Sequence, residues 1–157
     1  MSAVANLQRL LVVGGGEGIG WDVTKALLKH SPQARICTFG LREDEGRHGL
    51  PKENVKEIHF IQGDIRSKND RQTVVEHCIR TMAGIDTLVF TAGVINPIQR
   101  IEQLEMDAAR DTFEVNVLGC TAMVSITYLI GSKGSTETAS VSTTPPTPSP
   151  STSRESN

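Results

Sequence analysis

Leu10-Leu11-Val12-Val13-Gly14-Gly15-Gly16-Glu17-Gly18-Ile19-Gly20-Trp21 is the stretch that decides the fold. Four consecutive apolar residues read as a strand buried on both faces, as a parallel sheet demands. Glycines end the strand. After Gly20, the spacing of Val23, Ala26 and Leu27 marks an amphipathic helix that Ser31-Pro32 stops. A glycine cluster alone is ordinary turn chemistry. Set between a buried strand and a helix, it lets an anion approach backbone N–H groups at a helix N-terminus, where side chains would block it and the helix dipole favours negative charge. GxGxxG fits in no register, whereas GxxxGxG fits at Gly14, Gly18 and Gly20. No Gly-Lys-Ser/Thr follows, which disfavours an ATPase loop.

Working outward, Arg35 to Phe39 reads as a second strand, and a polar loop from Arg42 to Glu57 leads to a third at Ile58 to Ile61. Ser67 is a helix N-cap for the stripe Val74, Val75, Cys78, Ile79 and Met82, and Gly84 closes that helix. Ile85 to Phe90 supplies a fourth strand. Asp107 to about Ile130 repeats apolar residues at three and four, as a long helix does. Strands alternating with helices favour a parallel sheet with right-handed crossovers. The fold class is therefore α/β, a three-layer Rossmann-type sheet of about four strands in the order 3-2-1-4, half of the full fold. At Gly131 the composition changes. Residues 132–157 are mostly serine, threonine and proline, too polar to offset ordering entropy, and are expected to form a disordered tail. Residues 1–131 are then the folded domain.

Bulk composition narrows the function. The chain has 157 residues, 38% hydrophobic and 22% charged, as one soluble globular domain would. A net charge of −2 and the lack of a basic run disfavour nucleic acid and anionic membranes as partners. Cys37, Cys78 and Cys120 show no ligand spacing and read as small apolar residues in a reducing cytoplasm. His30, His48, His59 and His77 show none either, so no metal is expected. Met1 to Arg9 does not read as a signal peptide, and Val115 to Ile130, interrupted by Asn116, Gly119 and Ser125, reads as a buried helix and not a membrane span.

Four segments together resemble the short-chain dehydrogenase/reductase family. Val12 to Gly20 is similar to its TGxxxGIG fingerprint, with Val13 at the usual threonine. Gly63-Asp64-Ile65 resembles its adenine-pocket aspartate and apolar neighbour. Leu88 to Val94 is similar to its LVNNAGV segment, and Phe113 to Gly119 to the segment bearing its helix asparagine. Within the family, Ala92 to Gln99 most resembles benzil-reductase-like members, which reduce carbonyls with NADPH. The resemblance implies that Gly14, Gly18, Ile19 and Gly20 hold a pyrophosphate, that Asp64 and Ile65 hold the adenine, and that Ala92 and Gly93 line the ribose. Thr91 stands at the usual asparagine. Arg42, after a second strand with no carboxylate at Gly40-Leu41, favours NADP over NAD, while the acidic Glu43 and Asp44 that follow, and Glu17, where NADP-preferring members often carry a basic residue, pull the other way.

The resemblance also defines what catalysis requires: a serine, a tyrosine, a lysine four residues after the tyrosine to lower its pKa, and the asparagine, here Asn116. The only tyrosine is Tyr128, four residues before Ser132 and on the same helix as Asn116. Tyr128 and Ser125 are expected on a helix face, outside the family's catalytic positions. The chain is expected to be a truncated reductase that binds NADP or NAD with little or no turnover of a small carbonyl or alcohol. The alternatives are a non-catalytic regulatory or interaction module, and an unusual enzyme using Tyr128. Helix 107–130 is a candidate homo-oligomer contact.

Overall fold

The computed structural model describes residues 9–42, 58–95, 98 and 100–131. The expected tail over 132–157, His48 and most of the loop before the third strand lie outside the described residues. The strands are β1 (Arg9–Val13), β2 (Arg35–Gly40), β3 (Ile58–Gln62) and β4 (Thr87–Phe90), and the principal helices are α1 (Gly18–His30) and α2 (Lys68–Met82). All strand pairs are parallel, and the order is β3-β2-β1-β4, the expected one.

Period-two alternation along β1 divides the core. Leu11 and Val13 face α2 with Cys37, Phe39, Val74, Val75, Cys78 and Met82. Leu10 and Val12 face the opposite layer with Leu28, Ala34 and Ile36. Every one of these side chains is buried. Burying a side chain of this size is worth about 1.5–3 kcal/mol, so the two layers supply most of what holds the sheet. Cys37 and Cys78 are buried and free, as expected of them, while Cys120 is half-buried. His30 is exposed, and His59 and His77 are half-buried with their rings in an edge-on contact.

Three elements differ from their sequence reading. The fourth strand starts at Thr87; just before it the Asp86 N–H still donates to Arg9 O, and the Asp86 carboxylate binds the Arg9 guanidinium. Before it, Ala83 and not Gly84 takes the left-handed C-cap of α2, with its N–H donated to Ile79 O. The third departure is larger. The long helix is α3 (Met106–Phe113), then a widened π-helical turn (Glu114–Gly119), then α4 (Cys120–Gly131), preceded by a 3₁₀ turn at Ile101–Gln103. The stretch expected to be buried, Val115 to Ile130, is fully buried only at Gly119 and Met123, and half of its residues are exposed. Met123 enters the core and Gly119 packs against Ile65, but Phe113, Leu118, Val124, Tyr128 and Leu129 face outward. The sheet and α2 cover one narrow stripe, and this helix is apolar on more than that stripe. Residues 106–130 are long and apolar enough to cross a membrane by length and composition alone, with Met123 anchored in the core of the sheet.

Candidate nucleotide-binding site

At the C-terminal ends of the four strands lies a cleft of about 550 Å³. That position outside the strand ends is where open α/β sheets place ligands. The glycine loop builds its floor. Gly14 has φ +81°, and a Cβ there would stand 2.5 Å from Ala92 N. Only glycine brings the loop this close to the segment leaving β4. Gly20 packs α1 against the Gly14 carbonyl and the Thr91 hydroxyl, again with no room for a Cβ. Gly18, φ +53°, has open space beside it. Glu17 is the N-cap residue of α1, yet its side chain accepts no hydrogen bond from the helix. The first N–H groups of α1 are thus left without a side-chain cap on the cleft side, as an anion site requires.

The side walls come from the other strands. Gly40, Leu41 and Arg42 follow β2, and Gly63, Asp64, Ile65 and Arg66 follow β3. Gly14 N donates to Phe39 O and Gly63 N to Gly40 O, carrying the ladder one step into these turns. The turn after β3 is braced from α2: Asp70 accepts from Asp64 N at 2.9 Å, and Arg71 donates to the carbonyls of Ile65 and Arg66. Thr91, Ala92, Gly93 and Val94 close the far wall with Ala108, Asp111, Thr112 and Val115 of the long helix. The Thr91 hydroxyl donates to Val13 O at 2.9 Å, so threonine does tie β4 to β1 where the family's asparagine usually bridges strands.

Every binding residue expected from the sequence therefore meets at one cleft: Gly14, Gly18, Ile19, Gly20, Arg42, Asp64, Ile65, Thr91, Ala92 and Gly93. Asn116 stands behind it. Its Oδ1 accepts from Val94 N at 2.9 Å and its Nδ2 donates to Val94 O at 2.8 Å, holding the segment that lines the cleft. The widened turn carries it there, and such turns recur at functional sites. Ser125 and Tyr128 are exposed helix-face residues, as expected, and neither lines the cleft.

Charge was only partly legible beforehand. Arg66 binds Asp64 through Nε and Nη2 at 3.0 and 2.6 Å, while Arg66 N donates to Oδ1 at 2.9 Å. This guanidinium holds the Asp64 carboxyl below the usual carboxylate range, against the opposing effect of burial. Arg66 also reaches Asp111 on α3 at 3.6 Å, and Arg42 faces Glu17 at 3.7 Å. The sequence signal for the first pair was the two-residue spacing of Asp64 and Arg66 in a turn. For Asp111 there was none, since the partners are far apart in the chain. The cleft thus brings together helix N–H groups without a side-chain cap, the apolar Ile65 and the small residues Ala92 and Gly93.

The family profile described as short chain dehydrogenase matches residues 8–143. Xanthoxin dehydrogenase of Arabidopsis thaliana is 30% identical over 114 residues, covering 69% of this chain and 39% of that protein. L-fucose dehydrogenase of Mus musculus is 28% identical over 117 residues, covering 74% and 41%. A short chain dehydrogenases/reductase structure from Saccharomyces cerevisiae superposes with a TM-score of 0.73 at 21% identity, over 81% of this chain and 50% of that one. The chain spans about two fifths of the length of the curated relatives it matches.

Proposed function

This chain belongs to the short-chain dehydrogenase family, and on that premise we propose that its 157 residues bind a nicotinamide dinucleotide without turning over a substrate. The observation that carries the reading is the cleft itself. Four loops from four strand ends converge on the uncapped N-terminus of α1. In this reading Gly14, Gly18, Ile19 and Gly20 hold the pyrophosphate, Asp64 and Ile65 the adenine, and Thr91, Ala92 and Gly93 the neighbouring ribose. The bound cofactor would supply a hydride donor or acceptor. The protein's part is to bind it, orient it and exclude water. Arg42, after a strand end whose Gly40-Leu41 offers no carboxylate, favours NADP(H) as the partner, with NAD(H) the alternative.

Turnover is assigned elsewhere for a chemical reason. A phenol near its ordinary pKa of about 10 is a poor proton donor at neutral pH and needs an adjacent lysine. Tyr128 is followed four positions later by Ser132 and lies outside the cleft. We infer that the lineage activity is NADPH-dependent carbonyl reduction or alcohol oxidation on a small substrate, with benzil-reductase-like chemistry the finer assignment and a cytoplasmic setting for its free thiols. Asn116 enters as the residue that holds Val94, which lines the cleft. The exposed apolar side of α3 and α4 is the surface we assign to a second copy. A regulatory module that keeps the nucleotide loop is the alternative, and it shares the same cleft.

The test is a fluorescence titration of the purified protein with NADPH and NADH. Saturable binding is expected. It should weaken at least about tenfold in Gly18→Asp, because aspartate tolerates left-handed backbone and has open space there, yet sets a carboxylate against the phosphates. No saturation up to about 1 mM, a binding free energy of only about 4 kcal/mol, would overturn the proposal.

A further inference from the structure

Asp64 is the acceptor that an adenine amine would use in this cleft, and the structure leaves it no lone pair to offer. A carboxylate has about four acceptor positions. Arg66 fills them. Its backbone N–H donates to Asp64 Oδ1 at 2.9 Å, its Nε reaches Oδ1 and Oδ2 at 3.1 and 3.0 Å, and its Nη2 donates to Oδ2 at 2.6 Å. The guanidinium is held on its far side as well, where Nη1 lies 3.6 Å from Asp111 of α3. Asp64, Arg66 and Asp111 all line the cleft, so this run of charges spans from the turn after β3 to the long helix. The backbone beneath it is fixed from α2 through Asp70 and Arg71.

We propose that Arg66, by occupying Asp64, makes this cleft indifferent to the 6-amino group of a purine, so that it takes a 6-oxo purine dinucleotide as well as the adenine one. The inference rests on the nucleotide reading above. An adenine amine is a donor and needs an acceptor. Asp64 could serve it only by giving up part of a bidentate ion pair, among the stronger hydrogen bonds that side chains make. The neighbouring side chains offer no substitute. A guanidinium donates and never accepts, and Ile65 is apolar and favours any ring alike. A 6-oxo group, in contrast, accepts, and a guanidinium with five N–H donors has some to spare beyond the two carboxylates. Asp64 then serves the base end by holding Arg66 in place.

The experiment measures dissociation constants for NADPH and for its analogue with hypoxanthine in place of adenine. It uses the unaltered full chain, Arg66→Ala, and Arg66→Ala combined with Asp64→Ala. The unaltered chain should bind the two within about twofold of each other. In Arg66→Ala the freed carboxylate should favour adenine by about tenfold, the worth of a hydrogen bond to a charged acceptor. That preference should vanish in the double variant. A tenfold preference for adenine already present in the unaltered chain overturns the role of Arg66 and leaves the nucleotide reading intact. So does an Arg66→Ala protein that binds both with an unchanged ratio. A preference that survives removal of Asp64 overturns the pairing. Failure of the unaltered chain to bind either dinucleotide overturns the nucleotide reading and this inference with it.

Discussion

β1 ends in two opposite ways. At its N-terminal end Arg9 closes the sheet: its guanidinium binds Asp86 through two nitrogens and donates to Ala83 O, bolting the strand to the turn between α2 and β4. At its C-terminal end the same strand runs into glycines, and Val13 O alone accepts from Thr91 N, Ala92 N and the Thr91 hydroxyl. One end is shut by a long side chain. The other is left open because side chains are absent. A parallel sheet makes this division natural, since all its strands point their carbonyl ends the same way. Stability can be concentrated at one edge, and the opposite edge can be given to a ligand. Substitutions at the two ends should therefore separate folding from binding, and three of them probe that separation.

The largest effect is expected at the open end, from Gly14→Val. It places a β-branched residue at φ +81° and drives its Cβ into Ala92. Left-handed strain of about 1–3 kcal/mol adds to about 1–3 kcal/mol of overpacking, a large part of the 5–15 kcal/mol that holds an ordinary domain. Chemical denaturation should show the midpoint collapse, with no nucleotide bound. A variant that kept its midpoint but lost its ligand would mean that the open end is a pure binding feature. One that kept both would break the account of why glycine stands there.

The open end was legible in the sequence because its signals are local. Glycine spacing, a four-residue apolar run and the segments around Asp64, Ala92 and Asn116 are each read within a few positions. The strand order followed from the alternation of elements. What escaped reading depends on partners distant in the chain. Arg9 lies 77 positions from Asp86, and nothing in Arg9-Leu10 announces that bond. The π turn around Asn116 escaped because periodicity of three and four is indifferent to one extra residue in a turn. Exposure of Val124 and Leu129, inside the stretch read as buried, has a related reason: an apolar period shows that a face exists, not that a neighbour in the same chain covers it.

Arg9→Met should act at the closed end with an intermediate effect. It keeps the stem and removes the donors, leaving the Asp86 carboxylate and Ala83 O without them, a loss of about 1–2 kcal/mol near neutral pH. The affinity for NADPH should stay within about twofold, because this end is remote from the cleft. Acidity checks the cause. The Arg9 guanidinium holds the Asp86 carboxyl below its ordinary value, so this contribution is present above the unfolded carboxyl pKa of about 4 and is lost as pH falls through the lower folded value. The gap between the two proteins should be flat from about pH 5 to 8 and narrow below about pH 4. Burial, with help from His59 and Arg80, holds the His77 imidazole below its ordinary value and adds a loss on acidification, but equally in both proteins. A gap unchanged at low pH would show that Arg9 acts through packing and not through Asp86.

Thr91→Val is the finest cut, made inside the open end itself. Valine keeps the shape and removes one hydroxyl. Val13 O loses one of three donors and remains satisfied by two backbone N–H groups. The stability change should be about 0.5–1 kcal/mol, the net worth of a single neutral hydrogen bond. Binding is the sharper readout. The hydroxyl sits against Gly20, so it also sets how closely β4 approaches α1. If it acts only as a strand tie, NADPH affinity should follow the small loss of stability and change less than about threefold. A tenfold loss of affinity, about 1.4 kcal/mol, with an unchanged unfolding midpoint would place the Thr91 hydroxyl on the ligand. The open end would then owe its chemistry to a polar side chain as well as to its glycines, and the contrast with the Arg9 end would be one of which groups are present, not of whether any are.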